Sequence, residues 1–257
     1  MKKFNYPMNQ YNDLYFNDFY QMSYKSAIKI LKPILKIKNF NNIADIGCGA
    51  GPWLNACYDL IENKQKLSLI GVDGIYTKKI TKFDKANYIY KNLEKENIKG
   101  KFDLVISVEV AEHLNESSAD FFIDGLCNLS DIILFSAAQI GQGGENHINE
   151  KPISYWKKKF NIRGYRSYTF FKNQIWNNPI FEISPYYISN SILYVKNNEE
   201  LFNSFPINNF LNFTHPNFLK MRAKENISFK EHLRYIFPSF YKGIKKKLNN
   251  ILFKIKS

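Results

Sequence analysis

Residues 43–51, Ile43-Ala44-Asp45-Ile46-Gly47-Cys48-Gly49-Ala50-Gly51, decide how this chain is read. Ile43 to Gly47 is a short apolar run, and the residues from Trp53 to Ile61 carry helical periodicity. A strand, a glycine turn and a helix in that order open an α/β unit, whose ligands bind at the carboxyl ends of the strands. The glycine spacing narrows the ligand. A dinucleotide fingerprint needs G-x-G-x-x-G, with a helix N-terminus facing pyrophosphate. Here the sixth position is Pro52, the glycines fall at 47, 49 and 51, and Asp45 precedes them. A carboxylate opposes a pyrophosphate and suits a ligand that carries cationic groups.

The same rhythm continues outward. Leu67–Asp73, Tyr88–Leu93, Phe102–Val108 and Asp131–Ser136 read as further strands, and Arg166–Tyr168 with Ile192–Val195 supply the last two. Ala119–Leu129 and Ile153–Phe160 read as helices, the second with Tyr155 and Trp156 packed on the sheet. The predicted fold is α/β: a Rossmann-like, doubly wound, mostly parallel seven-stranded sheet with helices on both faces. Residues 1–40 form an N-terminal arm and helix. Ser23 is its expected cap, Pro33 its expected break, and Tyr11, Tyr15 and Tyr20 are candidates to line an acceptor wall. Residues 41–196 form the nucleotide-binding-type domain, and residues 197–257 form a basic, partly helical extension. Within that extension Tyr241, Ile244, Leu248, Ile251 and Ile255 share one helical face. Asp73 closes Leu69-Ile70-Gly71-Val72-Asp73, where a carboxylate accepts from ribose hydroxyls in proteins of this architecture.

In DIGCGAG (Asp45–Gly51), GVD (Gly71–Asp73) and FDLVISVEVAEHL (Phe102–Leu114), the chain resembles the class I S-adenosylmethionine-dependent methyltransferases over roughly residues 40 to 195. The resemblance implies S-adenosylmethionine as cofactor. It implies that Asp45, Gly47, Cys48, Gly49 and Gly51 hold the methionine part, and that Asp73 and Gly74 hold the ribose. Asn92 would then lie near the adenine amino group, and Ser107 and Glu109 would form the cofactor-side wall of the acceptor pocket. The loop Ser136–Glu150 resembles the GQGG-x-x-H-x-N-E loop of a subset linked to bacterial surface polysaccharides.

Methyl transfer from a sulfonium needs in-line alignment and often one base. His147 is the first candidate, because imidazole titrates near neutrality, and His113 is the second. Gln142, Asn146, Asn149 and Glu150 are candidates to hold the acceptor or to orient His147. No ligand cluster of zinc-site spacing is evident in the sequence, so no metal is expected.

The formal net charge of +13 favours anionic partners. Sugar, nucleotide-sugar or phosphoramidate groups of capsule or lipopolysaccharide precursors fit that charge. A nucleic-acid acceptor fits it too, but no Asn/Asp-Pro-Pro-Tyr/Phe motif follows the fourth strand, where Ser107-Val108-Glu109 stands. A quinone or lipid precursor is the third class, with the basic C-terminal helix resting on an anionic bilayer. Three cysteines without CxxC spacing argue for a reducing compartment. With no apolar stretch of membrane-span length, the expected location is the cytoplasm or the inner membrane face. Oligomeric state stays open at this level.

Overall fold

The computed structural model describes residues 13–176 and 182–206. Seven strands form one sheet: β1 (Asn42–Ile46), β2 (Ser68–Asp73), β3 (Asn87–Tyr90), β4 (Leu104–Val108), β5 (Ile132–Ser136), β6 (Tyr165–Tyr168) and β7 (Ile192–Lys196). Their order is β3-β2-β1-β4-β5-β7-β6. β1 to β5 pair in parallel, and β7 runs antiparallel to both β5 and β6. The strand order reverses between β1 and β4, so a crevice opens at their carboxyl ends. The Rossmann-like sheet read from the sequence is therefore the one observed.

Two apolar cores sandwich the sheet. On one face Ile43, Leu104, Ile106, Leu134 and Leu193 pack beneath α1 (Asp13–Leu35), α2 (Pro52–Leu60), α5 (Lys172–Ile175) and α6 (Pro185–Asn190). On the other Ala44, Val105, Ile133 and Phe135 pack beneath α3 (Ala119–Leu129) and α4 (Ile153–Asn161). Trp156 lies against Phe135 with ring centroids 5.4 Å apart, as its helix position predicts.

Several local expectations need correction. α1 begins ten residues before the Ser23 expected to cap it, and Ser23 lies buried in mid-helix with its hydroxyl 2.9 Å from that of Tyr187. α1 also runs through Pro33 and stops at Leu35. Pro33 removes a helical hydrogen bond at a cost of about 3 kcal/mol. Burying Ile30, Leu31 and Ile34 completely contributes roughly 1.5–3 kcal/mol each, which outweighs it. Tyr20 turns onto α2, where its hydroxyl accepts from Asn55 at 3.0 Å. β3 ends at Tyr90 rather than Leu93, which leaves Asn92 in the following turn. Tyr11, the side chain of Tyr15, and the amphipathic segment Tyr241–Ile255 lie outside the described residues. Among the described residues, no helix is long and apolar enough to cross a membrane.

Candidate active site

The turn after β1 is pulled onto β2. The N–H groups of Gly47 and Cys48 both donate to the Val72 carbonyl, at 2.7 and 3.2 Å. Gly47 and Gly51 sit at φ 85° and 87°, in the left-handed region that disfavours side chains. A Cβ on Gly47 would collide with the Val110 side chain, and one on Gly51 would fall 2.6 Å from the Tyr88 hydroxyl. At positions 47 and 51, backbone and neighbours together leave no room for a side chain.

Two carboxylates converge at the strand tips. Asp73 accepts from Gly49 N–H (2.7 Å) on one oxygen, and from Gly74 N–H (2.6 Å) and Tyr76 hydroxyl (3.0 Å) on the other. Burial raises its pKa above the ordinary range, and these three donors partly offset the rise. Asp45 is only 2% exposed, and its Oδ2 has no hydrogen-bond partner among the described residues. Burial, and then the neighbouring Asp73 charge, push Asp45 well above the usual carboxylate range. An acid held this way is costly unless a positive group comes beside it.

Across the crevice, the end of β4 carries a polar network. Glu109 adopts φ 54°, a strained conformation for a residue with a side chain. Its N–H donates to the Ser136 hydroxyl oxygen at 3.0 Å and to the Ser136 carbonyl at 3.1 Å. Its carboxylate accepts from Ser136 Oγ (2.8 Å), Asn190 (3.0 Å) and Gln142 (2.7 Å). Asn190 also donates to Gln142 at 2.7 Å and accepts from Gln139 at 3.0 Å.

Next to it the turn Ala111–His113 docks the Gln139–Glu150 loop. The Glu112 carbonyl accepts from Ile148 and Asn149 N–H, at 2.9 and 3.0 Å. The Glu112 side chain is fully buried, and neither carboxylate oxygen makes a well-formed hydrogen bond among the described residues. Burial, followed by the Glu109 charge, pushes it well above the ordinary range, and the nearby N–H groups of Glu112 and Ala138 offset only part of the rise. The His113 and His147 rings meet edge to face with centroids 4.8 Å apart. Loss of solvent on the loop-facing side, and then the His147 ring, lower the His113 pKa. Glu112, His113 and His147 each offer one ligating atom within 4.8 Å of the others.

No family model matches the chain, and no curated protein does. Solved structures do match. The methyltransferase domain of bacterial CtHen1-C is 18% identical, with a TM-score of 0.50, over 68% of this chain and 98% of that one. The chain shares the fold of a methyltransferase domain. Human N-acetylserotonin methyltransferase, solved with S-adenosylmethionine, is 14% identical with a TM-score of 0.49, and the alignment covers 71% of this chain. The chain spans 54% of the length of that human enzyme. Magnesium protoporphyrin IX methyltransferase from Synechocystis is 17% identical with a TM-score of 0.49, over 73% of this chain and 85% of that one.

Within this fold the residues singled out in the sequence fall into two groups. Asp45, Gly47, Cys48, Gly49, Gly51, Asp73 and Gly74 surround one turn at the tips of β1 and β2. Burial pushes the Cys48 thiol upward, so it stays protonated. Asn92 stands apart on the surface, its Oδ1 accepting from Glu94 N–H at 2.9 Å. Ser107 is buried in β4, and its Oγ has no partner among the described residues. Gln142 and Asn149, read as acceptor ligands, are buried. Gln142 serves Glu109, and Asn149 donates to the Ala111 carbonyl at 3.4 Å. Asn146 is exposed at φ 60°, and its carbonyl faces the His113 ring.

Sequence spacing gave His113 and His147 as alternatives and predicted no metal ligands. The fold brings the two together beside Glu112. Ser136, Asn190 and Tyr76 were not foreseen. Ser136 reaches Glu109 through the parallel β4–β5 pairing, and Asn190 through the antiparallel β5–β7 pairing, which no local pattern announces.

Proposed function

We propose that this chain is an S-adenosylmethionine-dependent methyltransferase. Its acceptor is an oxygen of a sugar, nucleotide-sugar or phosphoramidate group in a capsule or lipopolysaccharide precursor. The observation that carries the reading is Asp45, a buried acid with an unpartnered oxygen beside a second acid, at the mouth of a glycine turn. Such a pair favours a cationic ligand and disfavours the pyrophosphate of a dinucleotide. When bound, S-adenosylmethionine supplies a methyl group already activated by its sulfonium.

The chain's own residues then do the rest. A carboxylate offers about four acceptor positions, and the donors to Asp73 are Gly49, Gly74 and Tyr76. The Tyr76 side chain is 71% exposed, so its hydroxyl is the one that a ribose hydroxyl can displace. Gly47 and Gly51 let the backbone approach the ligand closely. The histidine pair on the other side of the crevice is where the acceptor hydroxyl is activated. An oxygen acceptor is favoured because imidazoles stand there, and because the fourth strand ends in Ser107-Val108-Glu109. The charge of +13 supports an anionic acceptor, and the GQGG-x-x-H-x-N-E loop supports a surface-polysaccharide precursor.

Calorimetry with S-adenosylhomocysteine tests the cofactor. Saturable binding, with none to a nicotinamide dinucleotide, is the expected result, and the reverse defeats the reading. Product release with nucleotide-sugar acceptors, measured across a salt series, tests the acceptor class. Small soluble acceptors hold their rate where phosphate-backbone binding would collapse.

A further inference from the structure

We propose that Glu112, His113 and His147 form a binding site for one divalent first-row transition cation, of the Mn2+, Fe2+ or Zn2+ class. Three independent features meet there. Glu112 is fully buried, and neither of its oxygens makes a well-formed hydrogen bond among the described residues, with the Ala138 N–H and the Glu109 carboxylate beside it. A buried carboxylate in that condition is costly whenever it is ionised, and a coordinated cation removes the cost.

The second feature is proximity. One ligating atom from each residue lies within 4.8 Å of the other two. Side-chain movement on the order of 1 Å brings all three to the distances of about 2.0–2.2 Å seen for nitrogen and oxygen ligands.

The third is the way the rings are held. Nδ1 of His147 is 3.0 Å from Oε1 of Glu150, which leaves Nε2 for a cation. The Asn146 carbonyl lies beside the His113 ring, where it can accept from one ring nitrogen and leave the other. Histidines that bind metal are oriented by such partners on the second nitrogen, typically a carboxylate or a carbonyl. Here both kinds are present. The scaffold is fixed as well, because the loop bearing His147 is bonded through Ile148 and Asn149 to the carbonyl of Glu112 itself.

Ligand chemistry sets the class of ion. Two imidazole nitrogens and one carboxylate suit first-row transition dications, whereas Ca2+ and Mg2+ prefer all-oxygen sets. Three protein ligands leave coordination positions for an acceptor oxygen. On the methyltransferase reading, on which only this role rests, the cation lowers the pKa of the acceptor hydroxyl. As ligands, neither histidine then serves as a free base.

The test is titration of the full-length protein with Mn2+ and separately with Zn2+, by calorimetry and electron paramagnetic resonance. One ion per chain is expected, with Mg2+ much weaker. Glu112→Gln and His147→Ala should each weaken Mn2+ binding by at least about 100-fold, since even the loss of an outer partner costs about 10–100-fold. Far-UV circular dichroism checks that the variants fold. The chain has four histidines, so the wild-type protein gives a second readout. Mn2+ should broaden the imidazole proton signals of His113 and His147, assigned from the loss of each signal in its single-histidine variant. If folded wild-type protein takes up no stoichiometric Mn2+ or Zn2+, or if both variants bind as wild type does, the site does not exist. S-adenosylhomocysteine binding in the same samples separates the two proposals. Metal uptake without cofactor binding leaves this site standing and the methyltransferase reading fallen, and the converse result does the opposite.

Discussion

Glu150 holds His147 in place: its Oε1 lies 3.0 Å from the His147 Nδ1, and its two oxygens accept from Gly143 and Gly141 N–H at 2.6 and 2.8 Å. Partial burial alone would raise the Glu150 pKa. The His147 hydrogen bond and the two backbone donors outweigh that and hold it below the ordinary range. One side chain therefore closes a glycine-rich loop and orients its imidazole. Glu150→Ala should cost about 0.5–1.5 kcal/mol, the net worth of a typical hydrogen bond, because water reaches the exposed Gly141 and Gly143 donors. It should also speed hydrogen exchange at the Gly141 and Gly143 amides and slow turnover by about 10–100-fold. Unchanged exchange at both amides would show that the loop does not depend on this carboxylate.

Asp45 carries a prediction with a pH signature. Its folded pKa is raised well above 3.8, so between 3.8 and that raised value the folded state binds more protons than the unfolded one. Stability contributed by protonated Asp45 is complete below pH 3.8 and declines as pH climbs through the window. Asp45→Asn removes the decline. The variant should be more stable than wild type at neutral pH by on the order of 1 kcal/mol, or about 2–4 °C in Tm. The advantage should vanish as pH falls toward 4, while affinity for S-adenosylhomocysteine drops. Thermal melts across pH check the first part and calorimetry the second. Equal melting temperatures at pH 7 would mean that Asp45 is not a strained acid.

The sequence made the parallel half of the sheet legible, because three of its strands end in markers of their own. Asp45 with its glycines closes β1, Asp73 closes β2, and Ser107-Val108-Glu109 runs out of β4. What stayed hidden depends on distant pairing. Asn190 comes to Glu109 because β7 inserts antiparallel between β5 and β6, and the Glu112–His113–His147 cluster forms only when the Gln139–Glu150 loop folds back on the Ala111–His113 turn. Ser23 misled for the opposite reason. A residue that caps helices well was taken up by burial against Tyr187, and tertiary packing overrode local preference.

Asp73→Ala removes the acceptor shared by Gly49, Gly74 and Tyr76. On the proposed reading the cofactor loses its ribose anchor, and the glycine turn loses one of its ties to β2. Affinity for S-adenosylhomocysteine should fall by about 10–100-fold, since hydrogen bonds to a charged group contribute about 1.5–3 kcal/mol. Tyr76→Phe removes only the displaceable hydroxyl and should leave affinity equal or slightly higher. A Tyr76→Phe loss as large as that of Asp73→Ala would make the phenol a ligand rather than a stand-in.

His147→Ala separates binding from chemistry. The imidazole lies across the crevice from the β1 and β2 tips, in contact with Glu150 and His113. S-adenosylhomocysteine affinity should stay within about 3-fold of wild type, while turnover drops by about 10²–10⁴-fold, the range for loss of a group that activates the nucleophile. Full turnover by the variant at neutral pH would remove His147 from the chemistry altogether.

Gly47→Ala probes the turn on which the cofactor reading depends, and two separable costs meet there. The residue sits at φ 85°, where an L side chain costs roughly 1–2 kcal/mol, and its Cβ would collide with Val110, where overpacking costs about 1–3 kcal/mol. Urea unfolding should therefore give a loss of about 2–5 kcal/mol. Adding Val110→Ala relieves the collision but not the backbone. The double variant should show a favourable coupling of about 1–3 kcal/mol and still fall short of Val110→Ala alone by about 1–2 kcal/mol. Strict additivity would mean that the two residues do not touch, and that Val110 does not form the wall that keeps position 47 a glycine.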